Sequence, residues 1–173
     1  EAGVPAGVVN LVPSRASGRV VSAMLSDGRV RVISFTGSTE VGRTLLKEAA
    51  DNVVRPAMEL GGNAPFIVCA DANVDEAVDG AMIAKMRNIG EACTAANRFY
   101  VHVSVAAEFS RKLAARMDAL KMGNGLDEDV AVGPLVNAQT RDKVHALVQD
   151  ARQRGARVLI GGEPAKGKGY FYP

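Results

Sequence analysis

The chain of 173 residues has no tryptophan, two histidines and two cysteines. Two thiols without a C-x-x-C pair build no disulfide scaffold. With no His spacing suited to zinc they build no structural metal site either, so no metal is implied and a reducing, cytoplasmic compartment is expected. No apolar run approaches the roughly 20 residues of a membrane span, and no basic start leads into an apolar core, so no membrane segment or secretory signal is expected. Charge of one sign is scarce as well. The 21 Lys and Arg are scattered among 19 Asp and Glu, which leaves no electrostatic footprint for nucleic acid. The remainder is an ordinary globular composition, long enough for one sizeable domain or parts of two.

The two cysteines sit in different company. Cys69 follows Pro65-Phe66-Ile67-Val68 and reads as inert apolar packing. Cys93 lies in Gly90-Glu91-Ala92-Cys93-Thr94-Ala95-Ala96-Asn97-Arg98, among small and polar residues just after a helical stretch, where a thiol can serve as a nucleophile.

Periodicity predicts strands alternating with helices. Val8 to Val12 reads as a strand buried on both faces, Gly18 to Leu25 as a helix, Asp27-Gly28 as a turn and Val30 to Phe35 as the next strand. A helix with an apolar stripe at Val41, Leu45, Leu46 and Ala49 follows, then extended segments at Val53 to Leu60 and Pro65 to Val68. Val74 to Met86 reads as a helix, Phe99 to Val103 as a strand and Ala106 to Leu120 as a helix opening near Ser104. Beyond the turns at Gly123-Asn124-Gly125 and Gly133-Pro134, an amphipathic helix from Ala138 to Arg154 and a strand from Arg157 to Ile160 are expected. His102, read as lying in a strand, and His145, on a helix, are both structural in this reading. The alternation is the signature of an α/β protein with parallel strands.

Two loops carry candidate chemistry. Thr36-Gly37-Ser38-Thr39-Glu40 joins a strand to a helix, where free N–H groups and the helix dipole can hold an anion, though an ordinary N-cap has the same composition. It is neither a full G-x-G-x-x-G fingerprint nor a Walker loop. Glu59 precedes Leu60-Gly61-Gly62-Asn63 at a strand end, where backbone can approach a ligand; the alternative is a solvated loop acid.

Together, Phe35-Thr36-Gly37-Ser38-Thr39-Glu40-Val41-Gly42, Glu59-Leu60-Gly61-Gly62-Asn63-Ala64-Pro65 and Gly90-Glu91-Ala92-Cys93 with Asn97-Arg98 resemble the successive signatures of the aldehyde dehydrogenase superfamily. The spacing of 34 positions from Glu59 to Cys93 matches as well. Arg87-Asn88 ahead of the cysteine run is most similar to the members that act on succinate semialdehyde. The resemblance implies parts of two Rossmann-like parallel-sheet domains, with residues 1–57 in the second half of a dinucleotide-binding domain and 58–173 in most of a catalytic domain. It implies Cys93 as nucleophile, Glu59 as the acid that activates water, and Gly37, Ser38, Val41, Gly42 and Leu60 as contacts to NAD or NADP. Arg87 would bind the far carboxylate of the substrate; its alternative is a helix-end Arg without a ligand.

The resemblance further implies a central piece of a larger homo-oligomeric enzyme, dimer or tetramer, acting on a small aldehyde and inactive at this length alone. Counterparts of the upstream Asn oxyanion donor and ribose-gripping Lys, and of the downstream ribose-orienting Glu, are not found in it. Ala95 stands where several relatives have a second cysteine, which excludes a disulfide to Cys93 by that route, and Ser14-Arg15 replace a turn often bearing glycine. The competing expectations are a non-catalytic truncated product or folding module, or an aldehyde dehydrogenase for a different aldehyde.

Overall fold

A computed structural model of the chain describes residues 2–173. The chain divides into two compact units, one ending at Gly61 and the other running from Gly62 to Pro173. The division falls past the 57/58 boundary expected from the resemblance, because the strand containing Met58, Glu59 and Leu60 is hydrogen-bonded into the first unit.

In the first unit, helix α1 (Ser17–Leu25) leads to strand β1 (Val32–Gly37), helix α2 (Thr39–Ala50) and strand β2 (Arg55–Leu60). The two strands are parallel, Val32 opposite Arg55 and Gly37 opposite Leu60. Leu25, Leu45, Ala49 and Val54 form the core, with Val21, Val30, Ile33, Phe35 and Met58 packed against it. The buried stripe of α2 is Gly42, Leu45 and Ala49, and the expected Val41 and Leu46 are exposed. At about 100° per residue, Val41 and Leu46 lie on opposite flanks of the Gly42–Leu45–Ala49 line and cannot share its burial. Ser22 donates to Glu48 at 2.8 Å and Asn52 to the Leu25 carbonyl at 2.8 Å, fastening α1 to the second helix and its exit. Val8 to Val12 forms no strand, and Leu11 is 90% exposed. Its apolar run pairs with no strand of this chain, and a ladder needs a partner for its N–H and C=O groups.

In the second unit, β3 (Ala64–Val68) lies parallel to β4 (Ala96–Val101); helix α3 (Val74–Met86) joins them in the chain, and helices α4 (Val103–Asp118) and α5 (Ala138–Gln153) follow β4. Val68, Val78, Ala81 and Phe109 are the core, and the rings of Phe66, Phe99 and Phe109 meet at centroid separations of 5.5 and 6.1 Å. Asn73 caps α3 by accepting from the Asp75 and Glu76 amides. His102 is not in the strand. It caps α4, its ring nitrogen accepting from the Ser104 amide. Lys112 to Asp75 and Arg116 to Asp79, both 2.6 Å, tie α4 to α3 across their solvent side.

Two further expectations fail in this unit. Cys69 is exposed, because β3 ends at Val68 with Phe66 and Val68 facing inward, and the next residue falls on the outward parity of Pro65 and Ile67. Arg157 to Ile160 forms no strand. Leu159 and Ile160 instead line a groove with Ala106, Ser110 and Ala114 of α4, and no ladder holds the segment straight. Tyr172 closes the C-terminal part, donating to the Gly162 carbonyl at 2.9 Å while sharing a 3.2 Å hydrogen bond with His145 of α5.

Phe109 is the largest fully buried side chain, so Phe109→Ala is expected to destabilise the second unit by about 3–5 kcal/mol. Urea unfolding followed by far-UV circular dichroism tests this; a midpoint unchanged from wild type would contradict the assigned core.

Candidate active site

The register of the first sheet brings its candidate residues to one edge. Thr36 lies opposite Glu59 and Gly37 opposite Leu60, so both strands end together at their carboxyl termini, the edge at which open parallel sheets bind ligands. Ser38 is the N-cap of α2, and its hydroxyl accepts from the Val41 amide at 3.3 Å while its carbonyl accepts from Gly42. The amides of Thr39 and Glu40 have no acceptor among the described residues. The helix therefore presents two donors and the positive end of its dipole.

The glycines here make close contacts with neighbouring side chains. A Cβ on Gly42 would stand 2.6 Å from Leu60 Cδ2, and one on Gly37 would stand 2.5 Å from the Phe35 ring. Gly42 thus lets α2 settle onto the end of β2, and Leu60 is half-buried beneath it. Glu59 and Val41 are exposed beside this contact.

In the second unit, Gly62 meets the backbone of the Gly-Glu-Ala-Cys run. A Cβ on Gly62 would collide with the carbonyl oxygen of Cys93. Gly61 has open space where a Cβ would stand, so the close approach is Gly62's alone, and it is to the backbone of the cysteine. Arg98 adds a second tie, its guanidinium donating to the Asn63 carbonyl at 2.8 Å. Cys93 occupies the second position of a turn closed by the Ala95 amide donating to the Ala92 carbonyl at 2.9 Å, and Ala95 and Ala96 are buried directly behind it. The thiol-bearing residue is exposed, and its own N–H has no acceptor among the described residues. An exposed turn anchored by a buried strand start is a usual setting for a reactive side chain.

The approach to this turn is bent. Arg87 leaves α3 with an extended ψ and opens a short 3-10 turn, Arg87–Gly90, in which Asn88, Ile89 and Gly90 all have positive φ. Arg87 is exposed, and its side chain has no hydrogen-bond or ion-pair partner among the described residues. It is a helix-end arginine with its donors available. Sequence reasoning did not single out Asn63 and Arg98 as the second tie. Only the in-register pairing of β3 with β4, with its irregularity between Ala64 and Pro65, places them together.

The whole chain, residues 1–173, matches the model of the Aldehyde dehydrogenase family. It is 56% identical over 172 residues to a succinate-semialdehyde dehydrogenase of Paenarthrobacter nicotinovorans, covering 99% of this chain and 38% of that protein. It is 47% identical over 172 residues to a glutarate-semialdehyde dehydrogenase of Pseudomonas putida, covering 99% of this chain and 35% of that protein. The crystal structure of an NADP dependent enzyme from E. coli superposes with a TM-score of 0.92 at 46% identity, over 98% of this chain and 35% of that one. The chain belongs to the aldehyde dehydrogenase family, and it spans a little over a third of the length of these relatives.

Gly62→Ala is expected to displace the Cys93 turn, since the added methyl meets backbone rather than a yielding side chain, at a cost of about 1–3 kcal/mol. Iodoacetamide labelling with peptide mass spectrometry should show an altered rate at Cys93 and an unchanged one at Cys69. Equal rates at both thiols in wild type and variant would rule the contact out as a constraint on the turn.

Proposed function

We propose that a full-length protein carrying this sequence oxidises succinate semialdehyde to succinate with NAD or NADP, through a thiohemiacetal and a thioester on Cys93. The observation that carries the reading is the exposed Cys93 turn with its backbone seated on Gly62 of the Glu-Leu-Gly-Gly run. The Cys93 thiolate adds to the aldehyde carbon, and the free N–H of Cys93 stabilises the resulting oxyanion. NAD or NADP, when bound, would supply the acceptor for the hydride leaving that carbon, so that Cys93 is left carrying the acyl group as a thioester. Glu59 takes a proton from water as its oxygen attacks the acyl carbon, and the carboxylate departs as the thiolate reforms.

The first unit fits a dinucleotide. Gly37, Ser38 and the available amides of Thr39 and Glu40 suit a pyrophosphate, and Val41, Gly42 and Leu60 shape the adjoining surface. Arg87 supplies the donors for the distal carboxylate, by charge-assisted and bidentate hydrogen bonds. The relatives named for succinate and glutarate semialdehydes are consistent with an ω-carboxylate substrate. Because the chain spans a little over a third of those relatives, the 173 residues alone are expected to form no NADH or NADPH.

Two measurements on the full-length protein test this. Arg87→Ala should lower kcat/KM for succinate semialdehyde by about tenfold to a hundredfold, the kinetic equivalent of about 1.5–3 kcal/mol for a charged hydrogen bond, and leave a neutral aldehyde within about threefold. Equal losses on both substrates would remove Arg87 from specificity. Glu59→Gln should retain a single burst of reduced cofactor and lose steady turnover, and unimpaired turnover would exclude Glu59 as the water-activating base.

A further inference from the structure

The turn carrying Cys93 is bounded on one side by the end of α3 and on the other by the start of β4, and one side-chain pair bridges that gap. Lys85, in the last turn of α3, donates from Nζ to Oδ1 of Asn97, the second residue of β4, at 2.7 Å. On the way its stem crosses Gly90. A Cβ on Gly90 would lie 3.0 Å from the Lys85 carbonyl oxygen, 3.1 Å from Nζ and 3.3 Å from Cε. Gly90 therefore takes its positive φ of 82° in a place where a side chain would meet both strain and the lysine. The bridge spans the whole run in which Asn88, Ile89 and Gly90 are left-handed.

We propose that Lys85 is a positioning residue for Cys93, its ammonium and stem strapping the 87–96 turn shut between α3 and Asn97. The proposal rests on the reading of Cys93 as nucleophile for its catalytic consequence, and on the geometry alone for its structural one. A charge-assisted hydrogen bond is among the stronger polar contacts available to an exposed loop. Here it closes a short segment whose backbone would otherwise relax from left-handed conformations that ordinary side chains avoid. The strap acts on Cys93 by keeping its carbonyl seated on Gly62, not by touching substrate.

The test uses Lys85→Met, which keeps a stem over Gly90 and removes the donor, with Asn97→Leu removing the acceptor and Asn97→Asp retaining it. Hydrogen exchange over residues 87–96 is read for each variant. Protection should fall by about tenfold or more in the first two and stay near wild type in the third. In the full-length protein, kcat should fall by about the same factor in the first two while KM for the aldehyde stays within about twofold, and Asn97→Asp should restore it. Unchanged exchange in Lys85→Met overturns the strap. Faster exchange with unchanged kcat overturns its role in positioning the nucleophile. If wild type oxidises no aldehyde, the functional reading fails by itself, and the strap is then judged on exchange alone.

Discussion

A glycine that must stay bare sets the geometry of the candidate nucleophile. Gly62 lies so close under the Cys93 carbonyl that any side chain would displace it. Backbone contact of this kind is stiffer than a side-chain contact, because a carbonyl is fixed by its own chain and has no rotamer to yield. The Arg98 hydrogen bond to Asn63 and the burial of Ala95 and Ala96 hold the same junction from two other directions. An exposed thiol on a turn would by default be mobile. Here its mobility is limited by what lies beneath and behind it, which is what a group that must attack one carbon in one direction requires.

The first unit solves a related problem with the same device. Gly42 brings α2 onto Leu60, and the parallel register then ends β1 and β2 level, so that the helix N-terminus, Gly37, Ser38 and Glu59 share one sheet edge. A side chain in place of the glycine would have to displace the end of the Leu60 side chain. The close contact is to a side chain in the first unit and to main chain in the second, and in both the chemistry-bearing side chains themselves are exposed and make few contacts.

Much of this was legible in the order of residues. The helices over Ser17–Leu25 and Val74–Met86 follow from apolar spacing, and Ser38 and Asn73 cap as their chemistry predicts. Motif order pointed to Cys93, Glu59 and the Gly37-Ser38 loop. What could not be read locally depends on partners far along the chain. Val8–Val12 and Arg157–Ile160 have strand composition, but a strand exists only with a neighbour. Cys69 has buried-looking flanks, yet the parity of β3 turns it outward. His102 was read from β-rich flanks, where the controlling fact is that the strand stops one residue before it and its ring can cap a helix.

The bent entry to the Cys93 turn ties these threads together. Left-handed φ at Asn88 is ordinary for that residue type, but at Ile89, a β-branched residue, it is costly, about 1–3 kcal/mol. Local propensity alone would continue α3 or extend the chain, and either course would carry Ala92 and Cys93 along a different path. The bend persists because its two ends are fixed independently, by the packing of Ala81 and Val78 in α3 and by the pairing of β4 with β3. A short chain fixed at both ends, and tied across by Lys85 and Asn97, accepts a strained middle. The strain at Ile89 is thus a consequence of the same β3–β4 pairing that brings Cys93 to Gly62, and removing either end constraint would release both together.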